Sequence, residues 1–148
     1  MTDEQLKKFM DESNAIEGEG PGQNDIPAAR YVLTESFNPK TDILKLHGLV
    51  AEGRDCNPGA WRTIQVYVGK HIPPAARKVP QLMEDYARDW ALMDAYQAHN
   101  RFEHIHPFED LNGRMGRLLW LRKAVYAGYR GQLSFLHAYY YQALEHDR

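Results

Sequence analysis

Apolar residues recur at helical spacing through most of the chain, in blocks separated by glycine and proline. Leu6, Phe9, Met10 and Ile16 fall along one side of a helix, and Gly18 supplies its stop. Asp25-Ile26-Pro27 opens a second helix, since proline is tolerated in a first turn, and the pattern runs to about Phe37. Ile43, Leu44, Leu46, Leu49 and Val50 form a third, closed by Gly53. From Pro80 onward, Leu82, Met83, Tyr86, Trp90, Leu92, Met93 and Tyr96 make a broad apolar face that predicts a helix reaching about Ile105, where Pro107 interrupts it. Two more helices are predicted, Asn112 to Ala127, stopped by Gly128, and Ser134 to about Glu145. The aromatic run Tyr139-Tyr140-Tyr141, with Trp120 and Tyr126, is assigned to core or helix interfaces.

One stretch departs from that rhythm. In Trp61-Arg62-Thr63-Ile64-Gln65-Val66-Tyr67-Val68-Gly69, β-branched and aromatic residues dominate, and Ile64, Val66 and Val68 alternate with polar or aromatic neighbours. The sum is an all-α domain carrying one short β-hairpin, without internal repeats.

Composition narrows the class. The 148 residues are 43% hydrophobic, the size and content of a single domain with a real core. Lys and Arg total 18 against 20 Asp and Glu, a net charge of −2 with no long basic run, so no nucleic-acid partner is expected. No window holds the roughly 18 apolar residues a membrane span needs, so no membrane partner is expected either. Met1 leads into Thr2-Asp3-Glu4-Gln5-Leu6-Lys7 without an apolar leader core, and the single cysteine, Cys56, suits a reducing compartment. A cytoplasmic protein is the expectation.

The chemistry is concentrated between two apolar helices, in His106-Pro107-Phe108-Glu109-Asp110-Leu111-Asn112-Gly113-Arg114-Met115-Gly116-Arg117. A loop that feeds a helix N-terminus presents unpaired N–H groups and the positive end of the helix dipole, which favour a bound anion such as phosphate. Gly113 and Gly116 would let that anion approach. Arg114 and Arg117, three apart, share a helix face and can fork onto phosphate oxygens. Asp110 offers a hard oxygen ligand for Mg²⁺, which takes one or two carboxylates beside substrate phosphates and waters. His106, with an ordinary pKa of roughly 6.5, can remove a proton from an attacking hydroxyl. These are the parts of a phosphoryl or nucleotidyl transfer site.

The same run resembles the Fic-family signature His-Pro-Phe-x-Asp/Glu-Gly-Asn-Gly-Arg-x-x-Arg, matched at His106, Pro107, Phe108, Asp110, Asn112, Gly113, Arg114 and Arg117, and Phe102-Glu103-His104-Ile105 resembles the helix end that leads into it. The resemblance implies a Fic fold, a helical bundle with a short β-hairpin flap, over residues 1–148 as a single domain. It implies His106 as general base, Asp110 on Mg²⁺, and Asn112, Gly113, Arg114, Gly116 and Arg117 around the phosphates of ATP. The reaction it implies is AMP transfer from ATP to a Ser, Thr or Tyr hydroxyl of a target protein. Segment 61–69 corresponds to the target-docking flap, with Ile64 and Val66 as clamping candidates. Ser13-Asn14-Ala15-Ile16-Glu17-Gly18 resembles the family's inhibitory motif, which makes residues 1–20 an N-terminal inhibitory segment in which Ser13 and Glu17 belong to the brake and Glu17 pairs with Arg117.

Leu111 stands where the family usually has glycine, and a side chain there removes low-cost access to positive φ and would crowd the phosphate or its metal. Phosphotransfer as in the Doc branch, removal of AMP, and a catalytically impaired Fic-fold interaction module therefore stay open beside AMP transfer. A zinc hydrolase built on His99, His104 and His106 fits poorly, because an acid is lacking at position 108, where Phe108 stands. Target, nucleotide base and oligomeric state, a homo-oligomer included, are left open.

Overall fold

Thr2 opens the first helix, α1 (Asp3–Ile16), with a capping box: its hydroxyl accepts from the Gln5 N–H at 3.1 Å and the Gln5 side chain accepts from the Thr2 N–H at 2.9 Å. The computed structural model describes residues 1–129 and 134–146, with the Tyr140 side chain outside the described part. α1 ends at the predicted stop, where Gly18 adopts φ +71°. Buried Asn14 then shapes the turn that follows. Its carbonyl accepts from the N–H groups of Glu17 and Glu19, both at 3.0 Å, and its amide donates to Asp25 at 3.0 Å.

α2 (Asp25–Leu33) and α3 (Pro39–Val50) come next. α2 stops before Phe37 because Thr34 turns to extended backbone, and Asn38 caps α3 through the Lys40 N–H at 3.0 Å. The single helix expected up to Ile105 is two, α4 (Val79–Asp89) and α5 (Ala95–Ile105), joined by a 3-10 turn at Trp90–Leu92. Asp94 causes the break. Its carboxylate accepts from the Gln97 N–H at 2.8 Å and the Gln97 side chain accepts from the Asp94 N–H at 3.0 Å, a second capping box that starts a new helix inside a continuing apolar pattern. Leu92, expected on the apolar face, is consequently 85% exposed.

α6 (Asn112–Tyr126) is the central element, with every residue from Arg114 to Leu121 buried, and α7 (Phe135–His146) closes the bundle. A helix enclosed on all sides needs apolar residues around its whole circumference. α5 makes the most extensive packing with it. Phe9 of α1 stacks on Trp120 at 6.1 Å and Phe135 of α7 meets the same indole edge-on at 5.2 Å, so one core draws on all seven described helices. Of the aromatic residues assigned to interfaces, Tyr126 and Tyr141 are instead more than half exposed.

The predicted hairpin is reduced to one isolated antiparallel bridge, Val68 to His71, and no strand forms among the described residues. Pro73 and Pro74 have no N–H to donate to a ladder. The carbonyls of Ile64 and Pro74 are taken by the Arg62 side chain, and those of Val66 and Pro73 by Gln65.

Candidate active site

The α5–α6 connection is held from three directions. His106 ends α5 in the left-handed region (φ 51°) with its N–H on Phe102, and Pro107 prevents the helix from continuing. The amide of buried Asn112 closes the loop on itself, accepting from the Phe108 N–H at 2.9 Å and donating to the Phe108 carbonyl at 2.8 Å. Phe108 is fully buried beneath the His47 ring, stacked at 3.7 Å. The Gly59 N–H donates to His47 Nδ1 at 3.0 Å, so the ring proton sits on Nε2 and donates to the Asp110 carbonyl at 3.2 Å.

Arg62 is the third support. It is 2% exposed, and its guanidinium donates to the carbonyls of His106 (2.6 Å), Ile64 (3.0 Å), Pro74 (2.6 Å) and Ile105 (3.2 Å), while its N–H reaches Pro107. It joins segment 61–74 to the C-terminal end of α5, where the helix dipole favours a cation.

Around the N-terminus of α6, two carboxylates from the turn after α1 occupy the two arginines. Arg117 donates to the Ser13 hydroxyl at 2.7 Å, the Ser13 carbonyl at 3.1 Å and Glu17 at 2.7 Å. A Cβ on Gly113 would meet that Glu17 oxygen at 2.4 Å, so the carboxylate sits in the space this glycine leaves. Arg114 forks onto both oxygens of Glu19 at 3.0 and 3.1 Å, and Arg54 joins the same carboxylate at 2.6 Å. Hydrogen bonds from Arg54 and then Arg114 pull the Glu19 carboxyl down to about 2.

These groups surround a cavity of about 540 Å³ into which His106, Asp110, Asn112, Gly113, Arg114, Arg117 and Glu17 all face. His106 Nδ1 lies 3.3 Å from the Glu103 carbonyl, and burial, reinforced by the Arg62 cation, lowers the imidazole below its ordinary value, so the ring is neutral at neutral pH. Asp110 is exposed, and its Oδ1 accepts from the Leu111 N–H at 2.8 Å. Among the described residues no cluster of three or more His, Cys, Asp or Glu forms a cage for a metal ion, zinc included.

Three sequence expectations change in detail. Gly116 faces α5, where a Cβ would strike Glu103 at 2.3 Å, and it is not among the residues lining the cavity. Val66 lines the cavity with Tyr67 and Val68, whereas Ile64 is 52% exposed and outside that lining. Leu111 takes φ +71° yet turns its side chain into a small apolar pocket with Ala51 and Cys56, where it is 4% exposed. Sequence reasoning missed Glu19, Arg54, Arg62 and His47, each joined to the site across distant segments. Phe135 and Leu136 of α7 also line the cavity.

The fold is thus a helical bundle that presents an arginine-lined cradle at the N-terminus of α6 beside a neutral histidine. The sequence profile of the Fic/DOC family matches residues 37–122, more than half of the 148, and the chain belongs to that family. It is 36% identical to the protein adenylyltransferase Fic of Culex quinquefasciatus over 146 residues, covering 90% of this chain and 29% of that protein. It is 38% identical over 133 residues to the protein adenylyltransferase Fic of Drosophila melanogaster, covering 82% of this chain and 26% of the relative. The chain thus spans under a third of the length of these curated relatives. Among solved structures, a Fic family protein from Desulfovibrio desulfuricans superimposes with a TM-score of 0.63 at 26% identity, over 83% of this chain and 49% of that one. A Fic domain containing signaling protein from Bacteroides thetaiotaomicron, at 20% identity and a TM-score of 0.59 over 87% of this chain and 58% of that one, shares the fold.

Proposed function

We propose that this chain transfers AMP from ATP to a Ser, Thr or Tyr hydroxyl of a target protein, and that Glu17, with Ser13, holds it in an inhibited state. The observation that carries the reading is the Glu17 carboxylate seated 2.7 Å from buried Arg117, in the space left by Gly113 at the start of α6. A carboxylate there occupies a site built for a phosphate oxygen. The relatives named protein adenylyltransferase support the choice of AMP as the transferred group.

The target hydroxyl gives its proton to His106 as its oxygen attacks the α-phosphorus. The bond from that phosphorus to the bridging oxygen of the β-phosphate breaks, and pyrophosphate leaves. Arg114, Arg117 and the N–H groups opening α6 take up the charge on the phosphates. Asp110 suits Mg²⁺, since it is exposed with its Oδ1 oriented by the Leu111 N–H and the ion needs few protein carboxylates. Bound there, the ion would neutralise phosphate charge. Asn112 shapes the cradle by fixing the Phe108 loop. The side chain of Leu111 packs against Ala51 and Cys56, which supports transfer over an impaired interaction module.

Residues 1–148 act as one domain in this reading, with 1–20 as the inhibitory segment and Val66 at the docking flap. No described helix is long and apolar enough to cross a membrane, and buried Cys56 suits the cytoplasm, the location we propose. Incubation of the Glu17→Gly chain with ATP labelled at the α- or γ-phosphorus tests the reaction. Label from the α-position alone, lost in His106→Ala with ATP binding retained, is the expected result. Label from the γ-position, or persistence without His106, overturns it.

A further inference from the structure

α5 brings His99, Glu103 and its cap His106 to one side of the cavity. The Glu103 carboxyl lies between the two rings, Oε2 at 3.8 Å from His106 Nδ1 and Oε1 at 3.7 Å from His99 Nε2. Oε1 is buried and has no hydrogen-bond partner among the described residues. Leaving such an atom unpaired costs about 1–3 kcal/mol in general, so its retention calls for an explanation. The sequence also makes room for it. Gly116 sits inside α6, where glycine is less favourable than alanine by about 1 kcal/mol, yet any Cβ at that position would meet Glu103 Oε1 at 2.3 Å and the His99 ring at 3.3 Å.

We propose that Glu103 is a positioning residue for His106, closing the Nδ1 side of the imidazole so that Nε2 is the nitrogen offered to the substrate hydroxyl. The inference rests on the role proposed above for His106 as base. The Glu103 carbonyl, 3.3 Å from Nδ1, takes the ring proton, and the carboxyl packs against the same edge.

The charge state of Glu103 matters as much as its place. It is surrounded by His99 and His106 on its own helix, Arg117 from α6, Glu17 from the end of α1, Tyr139 from α7 and Tyr86 from α4. Burial, the largest influence, raises its carboxyl to about 8, while Arg117 lowers it and Glu17 raises it further. At neutral pH it therefore keeps its proton. An ionised carboxylate in that place would put negative charge into a cradle meant for a triphosphate. The neutral acid avoids this. Above pH 8 the penalty appears.

Two measurements test this. In the Glu17→Gly chain, kcat and KM for ATP are followed from acid to alkaline pH with and without Glu103→Gln. Because burial, the largest influence on Glu103, remains when Glu17 is removed, its carboxyl stays raised and kcat/KM should fall on an alkaline limb. Glu103→Gln removes that limb. An unchanged limb in Glu103→Gln, or none in the parent, overturns the proposal. Independently, ¹⁵N-histidine spectra of the nucleotide-free wild-type chain, with His106 assigned by its loss in His106→Ala, should show the Nδ1–H tautomer and a step near pH 8 that Glu103→Gln abolishes. The Nε2–H tautomer, or no step, counts against it. If the Glu17→Gly chain transfers no AMP, the transferase reading fails, and the spectra still decide the place of Glu103.

Discussion

Glu17 and Arg117 meet at 2.7 Å across 100 residues of sequence, and the guanidinium is simultaneously fixed by the Ser13 hydroxyl. In the proposed reaction, nucleotide must displace the carboxylate to use that arginine. A charge-assisted hydrogen bond of this kind is worth about 1.5–3 kcal/mol, and Glu17 is 37% exposed, which places it at the lower end. Glu17→Gly should therefore raise the rate of AMP transfer by about tenfold or more at subsaturating ATP. Equal or lower labelling in a folded variant would refute the brake.

Glu19 adds a second contact of the same kind, on Arg114. Its carboxyl is held at about 2 by Arg54 and Arg114, so the charge on which the contact depends is present above the ordinary carboxylate value and is lost only as pH falls through about 2. Mild acidification should not open it. Replacing the charge should: Glu19→Gln added to Glu17→Gly is expected to lower KM for ATP below that of Glu17→Gly alone, because both arginines are then free. No change in KM would confine Glu19 to a surface contact.

The cluster at residues 106–117 was legible because it is contiguous: His106, Asp110, Arg114 and Arg117 come together around one cavity. Glu17 was legible through a short motif, and its contact confirms the pairing with Arg117. Glu19 was not, since nothing local marks a carboxylate whose partner lies 95 residues away. Arg62 stood in an apolar run and read as part of an extended segment, yet it is a buried hub for four carbonyls. The closeness of Gly116 to Glu103 was not legible, because the two lie on different helices. The break at Asp94 was visible in the Asp94/Gln97 capping pair but hidden by the apolar periodicity running through it.

Leu111 sets backbone strain against burial. A branched side chain in the left-handed region costs about 1–2 kcal/mol, and its pocket against Ala51 and Cys56 offsets that. Leu111→Ala keeps the strain and loses the contact, whereas Leu111→Gly loses the contact and the strain together. Glycine should thus be more stable than alanine here by about 1 kcal/mol, the reverse of their order inside a helix. Urea denaturation of both variants decides it, and alanine at or above glycine would contradict the argument.

Removing Arg62 strands the carbonyls that end α5 and those of Ile64 and Pro74. Arg62→Met fills similar volume but donates nothing. At about 1–3 kcal/mol for each buried acceptor left unpaired, with water reaching the more exposed ones, a loss of about 3 kcal/mol is expected. In a domain of this size that lowers Tm by about 10 °C. Arg62→Lys should fall between, since an ammonium has fewer donors and no fork. A Tm within a few degrees of wild type for Arg62→Met would show that the hub is dispensable.

Stability should depend on pH with opposite signs on the two sides of His99 and Glu103. Burial lowers His99 to about 4, below its ordinary 6.5, so between those values the unfolded chain binds more protons and stability is lost as pH falls. His47 and His106, also lowered by burial, add to that acid limb. Glu103, raised from 4.5 to about 8, works the other way: the folded chain holds the extra proton, so stability falls as pH rises toward 8 and levels off above it. Between 4.5 and 6.5 the slopes oppose each other, and above 6.5 that of Glu103 stands without an opposing histidine. Wild-type stability should therefore peak near pH 6.5 and decline toward pH 8, by at most about 1.4 kcal/mol per pH unit. Glu103→Gln cannot ionise, so its curve should keep the acid limb and lose the decline, and its advantage over wild type should widen with pH. Parallel curves for the two proteins from pH 5 to 8, measured by urea denaturation, would mean that Glu103 is ionised in the folded chain.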